Sequence, residues 1–169
     1  MREVFTFVDS STVITKNATW EERDKARKEK EEKLNNKNID KYSADKDARF
    51  GCKGKDKYWY GYKRHISVDM GSGLIRKTEI TKANITDQEG LKYVCPTGGM
   101  VFADKQYCCK VAQEQMKKLG CHSAAILKNN MKEKNKEKDK WLTGVRMPFE
   151  GVFAKLTKRA RYRGLEKVQ

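Results

Sequence analysis

No run of 18 apolar residues occurs in the chain, so no membrane-spanning helix is expected. The first residues lack a basic region followed by an apolar run, and no secretory signal is expected either. The five cysteines, at 52, 95, 108, 109 and 121, form no C-x-x-C pair. An odd set without that spacing fits reduced, cytosolic thiols. Cys121 and His122 are adjacent, but four ligands at zinc spacing cannot be assembled around them. His65 has no acid or cysteine nearby in sequence and reads as a packed histidine rather than a catalytic one. Acids are outnumbered: 23 Asp+Glu face 38 Lys+Arg, a formal charge of +15 at pH 7. Such a surplus attracts polyanions, nucleic acid first, although a lysine-rich surface without a partner has the same totals.

What is present is a chain of 169 residues, enough for one domain that buries about two thirds of its unfolded surface. Residues 4–14 (VFTFVDSSTVI) are β-branched and aromatic on both faces, the pattern of a central strand. Asp9 interrupts it, and a carboxylate there is costly unless paired or bound to a metal. Residues 17–46 are a charged insertion within one domain spanning 1–169; their part 20–34 has no apolar stripe and is an exposed helix or disordered. Residues 47–57 lead through a Gly/Lys loop into a hairpin, with strands at 58–69 and 74–81 around Met70-Gly71-Ser72-Gly73. Lys53, Lys55, Lys57, Lys63 and Arg64 with four aromatics resemble a nucleic-acid surface, while core packing competes for the aromatics.

A short helix or turn is expected from residues 84–87, with Asn84 or Thr86 as cap. A strand at 100–103 ends in Asp104, the strand edge at which ligands of α/β folds collect. A helix is expected over 107–118, with Cys108, Val111, Ala112 and Leu119 on one face and Gly120 as its stop. A strand follows at 123–127, parallel to its predecessor because a helix crosses between them. Residues 128–140 read as a charged loop. From about 145 to 159 a helix carries Val145, Phe149, Val152, Phe153 and Leu156 on one face, with Glu150 about 100° further round.

This order matches a mixed five-stranded sheet of the ribonuclease-H-like α/β type, flanked by helices. There the strand with Asp9 and the strand before Asp104 are parallel neighbours about 4.8 Å apart, and Glu150 reaches them from the last helix. Three carboxylates that close repel one another unless at least one keeps its proton or a cation joins them. Carboxylates and water are the ligands of hard cations such as Mg²⁺, and two such ions can activate the attacking and stabilise the leaving oxygen in phosphodiester transfer.

The residues also resemble a known family. Phe7-Val8-Asp9-Ser10-Ser11, residues 45–51 with Lys53-Gly54-Lys55, Gly61-Tyr62-Lys63-Arg64-His65-Ile66, and Asp69 with Ser72-Gly73-Leu74-Ile75 come in the order of the catalytic region of DDE-type insertion-sequence transposases. Ala83-Asn84-Ile85-Thr86-Asp87, Ala103-Asp104-Lys105-Gln106-Tyr107, Arg146 with Glu150, and Arg161-Tyr162-Arg163-Gly164-Leu165 continue it. The resemblance is to the group with a Tyr-Arg-Glu-Lys signature. Thr143 stands where that signature has Tyr, Thr157 where it has Lys (with Lys155 and Lys158 close by), and Gln106 where Gly is usual.

The resemblance implies metal-dependent DNA cleavage and strand transfer in transposition of a mobile insertion sequence. It makes Asp9, Asp104 and Glu150 the catalytic metal ligands for Mg²⁺ or Mn²⁺, two ions in all. Lys53, Lys55, Lys63, Arg64, Arg146, Lys155, Lys158, Arg161 and Arg163 are the expected DNA contacts. Implied partners are double-stranded DNA at transposon ends and target, and further copies of the chain on DNA, in the cytoplasm with the nucleoid. An N-terminally truncated copy is expected. A binding-only remnant and a ribonuclease-H-like nuclease without strand transfer are the alternatives.

Overall fold

The structure, a computed structural model, describes residues 4–15, 35–43, 45–53, 57–132 and 134–165, with side chains described to residue 152 and not at positions 42 and 57. Its elements are β1 (Phe5–Ile14), α1 (Ile39–Tyr42), β2 (Arg49–Lys53), β3 (Lys57–Asp69), β4 (Ile75–Lys82), α2 (Asp87–Val94), β5 (Gly99–Ala103), a 3-10 turn (Lys105–Tyr107), α3 (Lys110–Lys118), β6 (Cys121–Ala125) and α4 (Lys136–Leu165). The strands form one sheet in the order β2-β3-β1-β5-β6, with β4 also paired to β3. β1 is central and parallel to β5, and β5 is parallel to β6. This is the expected ribonuclease-H-like α/β arrangement, with a sixth strand added.

That sixth strand is β2. Residues Arg49–Lys53 pair antiparallel with β3, from Arg49 opposite Gly61 to Lys53 opposite Lys57. The sequence places a Gly/Lys loop at 52–57 with residues 47–51 leading into it, and only Gly51 of the strand is buried. Backbone hydrogen bonds, not an apolar face, make it a strand.

By compactness the chain divides into two units: Met1–Ser11 with His65–Glu79 and Asp87–Gln169, and Thr12–Arg64 with Ile80–Thr86. In the first unit two clusters lie on opposite faces of the sheet. Val8, Val101 and Ala103 pack with Leu91 and Val94 of α2 and Ala112 and Met116 of α3. Phe7 and Phe102 pack with Ile66, Val68 and Leu142, and with Val145, Phe149 and Val152 of α4. Adjacent strand residues point to opposite faces, so β1 and β5 each feed both clusters. His65 is fully buried in this unit, as its packed reading requires.

In the second unit Ile39, Ala48 and Tyr60 form a small core with Phe50 and Tyr62 against it. Tyr60 shares a 2.7 Å hydrogen bond with Ser43, and Tyr62 donates to Asp45 Oδ1 at 2.9 Å. Burial, and then the hydrogen bond to Asp45, raise the Tyr62 pKa to about 12. Two of the four hairpin aromatics thus serve the core, while Tyr58 is exposed and Trp59 half-buried. Of the charged insertion, α1 and its flanks are described, and α1 puts a short helix where loop was expected; the tract 20–34 lies outside the described residues.

α2 begins at Asp87, directly after Thr86, one of the two expected caps. Other helix boundaries differ from expectation. The helix expected from residue 107 is split, because the Asp104 side chain accepts from Gln106 N and caps the 3-10 turn, while Cys109 caps α3 through its thiol. Val111, expected on the inner face of α3, is exposed, and Met116 takes that face with Ala112. Gly120 has φ +71° and ends α3 as expected. α4 starts at Lys136, inside the expected charged loop, where the Asn135 side chain accepts from the backbone of Glu137 and Lys138 at 3.0 Å each. All five cysteines are free thiols.

Candidate functional site

β1 and β5 run side by side with Phe5 opposite Met100 and Phe7 opposite Phe102. Two residues further along that register lie Asp9 and Asp104. Both follow the phenylalanines that face α4, so both carboxylates leave the sheet on that side. Each is turned partly onto its own backbone: Asp9 Oδ1 accepts from Ser10 N at 2.8 Å, and Asp104 Oδ1 accepts from Gln106 N. The second oxygen of each has no hydrogen bond among the described residues.

Burial pushes the Asp9 carboxyl up to about 6 from its ordinary 3.8, against the hydrogen bond from Ser10, and the charge of Asp104 pushes it further. Arg146 pulls it back and Asp87 adds a last upward push. Asp9 therefore feels the charge of Asp104.

Arg146 is the cation of this neighbourhood. It is 7% exposed, its guanidinium lies 5.4 Å from the centre of the Phe7 ring, and Nη2 bonds Glu150 Oε1 at 3.2 Å. Its Nε has no hydrogen-bond partner among the described residues. Sequence made Arg146 a phosphate contact; in the structure the side chain is spent on Phe7, Glu150 and the field at Asp9.

Glu150 lies one helical turn beyond Arg146 on α4 and is half exposed. It is not among the groups that shift Asp9. Among the described residues no three His, Cys, Asp or Glu side chains stand close enough to hold one metal ion. Asp9 and Asp104 do fit a hard divalent cation: they are paired oxygen donors whose repulsion a cation relieves. Glu150 is not drawn into that pair.

The expected DNA contacts divide. Lys53 is exposed and Arg64 half-buried. Lys63 is 9% exposed, donates to Ile85 O at 2.8 Å and lies over the Trp59 ring. Lys55 lies outside the described residues, as do the side chains of Lys155, Lys158, Arg161 and Arg163. Thr143, at the signature's Tyr position, donates to its own helix at Asp139 O, 2.8 Å away.

Sequence reasoning missed three neighbours of the acid pair. Ser10 donates to Asp87 Oδ1 at 2.8 Å. Tyr107, 1% exposed, has a phenol held well above its usual 10, by burial first and then by the charges of Asp87, Asp9 and Asp104. The A-N-x-x-D element ending at Asp87 was the available signal, but its sequence neighbours do not say what the aspartate touches.

The family model described as a transposase DDE domain matches residues 2–169, nearly the whole chain. No curated protein and no solved structure matches the chain.

Proposed function

The chain belongs to the transposase DDE domain family, and we propose that it cuts DNA by metal-dependent phosphodiester chemistry and joins the freed 3′-hydroxyl to a target strand. The observation that carries this reading is the Asp9–Asp104 pair at the ends of adjacent parallel strands, with the Asp9 carboxyl raised to about 6 by burial and by its neighbour.

In this reading Asp9 and Asp104 hold Mg²⁺ or Mn²⁺, and Glu150 completes the set from α4. Bound divalent ions supply Lewis-acid stabilisation of the phosphoryl oxygens and a readily deprotonated water or hydroxyl. The chain's own part is positional. The open oxygens of Asp9 and Asp104 face the α4 side together. Arg146, stacked on Phe7, keeps positive charge at the site and fixes the rotamer of Glu150 through the 3.2 Å bond. Glu150, half exposed beside Arg146, would be the third carboxylate to hold the ions.

Exposed Lys53, half-buried Arg64 and the basic positions Lys155, Lys158, Arg161 and Arg163 supply the charge that holds double-stranded DNA. Transposon ends and target are the substrates, further copies of the chain are the partners on DNA, and the cytoplasm with its nucleoid is the compartment. No helix among the described residues is long and apolar enough to cross a membrane.

DNA binding without chemistry is a second reading, favoured by one observation: no three-ligand group forms among the described residues. Incubating the chain with Mg²⁺, a 3′-hydroxyl-ended donor duplex and a supercoiled target separates the readings. Covalent donor–target products are expected. Nicked target without joined product would make the chain a nuclease, and retarded but intact DNA would make it a binding protein.

A further inference from the structure

Both acid-bearing strand ends are tied to the first turn of one helix. Asp87, the first residue of α2, accepts from Ser10 Oγ at 2.8 Å, and Ser10 directly follows Asp9. Gln88, the next residue, donates through Nε2 to Gln106 O at 2.8 Å. Gln106 is the residue whose backbone N–H holds the Asp104 carboxylate. One helical turn thus reaches β1 just past Asp9 and reaches the chain just past Asp104.

The faces are right for a brace. Val8 packs on the α2 side with Leu91 and Val94, and Phe7 packs on the α4 side. Alternation then sends Ser10 toward α2 and Asp9 toward α4. The α2 contacts fix the strand ends from behind and leave the front free for the carboxylates.

Tyr107 lies on the same side, in the cluster with Val8 and Leu91. Its buried hydroxyl feels the charges of Asp87, Asp9 and Asp104 and is within hydrogen-bonding range of Ser10. An aspartate in the first turn of a helix ordinarily serves its own helix, where a negative charge meets the dipole. Asp87 also reaches 77 residues back along the chain.

We propose that Asp87 and Gln88 are positioning residues: the first turn of α2 clamps the ends of β1 and β5 and so sets the spacing at which Asp9 and Asp104 meet a divalent cation. This rests on the metal-binding reading of those two aspartates. Partners that orient ligands from behind are typically worth 10–100-fold in metal affinity. Gln88 reaches Asp104 only through the backbone of Gln106, so its share is the smaller one.

The test is Mn²⁺ binding by the full chain, read by electron paramagnetic resonance without DNA or turnover. Asp87→Ala and Ser10→Ala should each weaken Mn²⁺ by about tenfold. The double variant should be no weaker than the worse single one, because both changes break the same bond. Asp87→Asn keeps an oxygen for the Ser10 hydroxyl and should stay within about threefold of the parent. Gln88→Ala should weaken binding by about threefold. Circular-dichroism melts identify any variant that fails to fold, and Ser10→Ala and Gln88→Ala carry the test if Asp87→Ala is such a variant.

Additive losses in the double variant would overturn the clamp, since the two residues would then act separately. An Asn variant as weak as the Ala variant would overturn it as well, since charge and not the hydrogen bond would matter. Asp104→Asn separates loss of the metal site from loss of the clamp. If it leaves Mn²⁺ binding unchanged, the metal-site reading falls and the clamp with it. If it abolishes binding while folded Ser10, Asp87 and Gln88 variants bind as the parent does, the clamp alone falls.

Discussion

A carboxyl group that titrates at about 6 in the folded chain and at 3.8 without the fold ties stability to pH. Between those values folded Asp9 keeps a proton that the unfolded chain has released. Stability without metal therefore falls as pH rises through that window and levels off above it. The whole effect is about 3 kcal/mol at 1.36 kcal/mol per unit. Asp9→Asn should remove this slope and melt higher than the parent at pH 8 in EDTA, while the two chains converge near pH 4. Parallel melting curves across pH 4–8 would contradict the assignment of the strained carboxyl to Asp9. At this scale the acid pair was legible in the sequence, because an aspartate that breaks or ends an apolar run declares itself. Asp87 was not legible, because its meaning lies in a hydrogen bond to Ser10, 77 residues away. The duty of Lys63 was hidden for the same reason: alternation along β3 does not show that its ammonium ends on Ile85 O.

Among the elements, α2 carries the closest fit to the sheet. A Cβ built on Gly90 would stand 2.1 Å from the His65 ring, and His65 is fully buried. Gly90→Ala forces that ring or the helix to move and should cost about 1–3 kcal/mol in chemical denaturation. Adding His65→Ala should make the Gly90→Ala change nearly harmless, which a cycle of the four chains measures directly. An Ala variant as stable as the parent would show that α2 does not pack as closely as described. The same element shows what pattern reading can and cannot find. β1, β5 and the hairpin are apolar or alternating runs bounded by turns, and the sequence locates them; β6 was expected at 123–127 and lies two residues earlier, at Cys121–Ala125. β2 buries one residue of five, and the opening of α4 is nearly all charge, so neither offers a periodic signal. The sequence finds α4 only from about Val145 onward, where its apolar face meets the Phe7 cluster.

For the whole molecule, charge and topology have to be read together. A formal charge of +15 would repel a second polycation and attract DNA at any sequence, so binding alone says little about the site. Affinity for duplex DNA should fall steeply with salt, and each phosphate-contacting lysine or arginine removed should lower the log–log slope by about one. Lys155→Ala with Lys158→Ala should therefore flatten it by about two, and an unchanged slope would take those residues out of the interface. What distinguishes this chain from a basic surface is the pair of aspartates that the parallel β1–β5 register brings together. In the proposed function this pair is the heart of a metal-dependent DNA-cutting centre. Nicking of supercoiled plasmid in Mg²⁺ tests it most directly, comparing the parent with Asp104→Asn at equal DNA binding. Nicking that needs the metal and is lost in the variant is the predicted result; nicking that survives either change, or is absent from the parent, would contradict it.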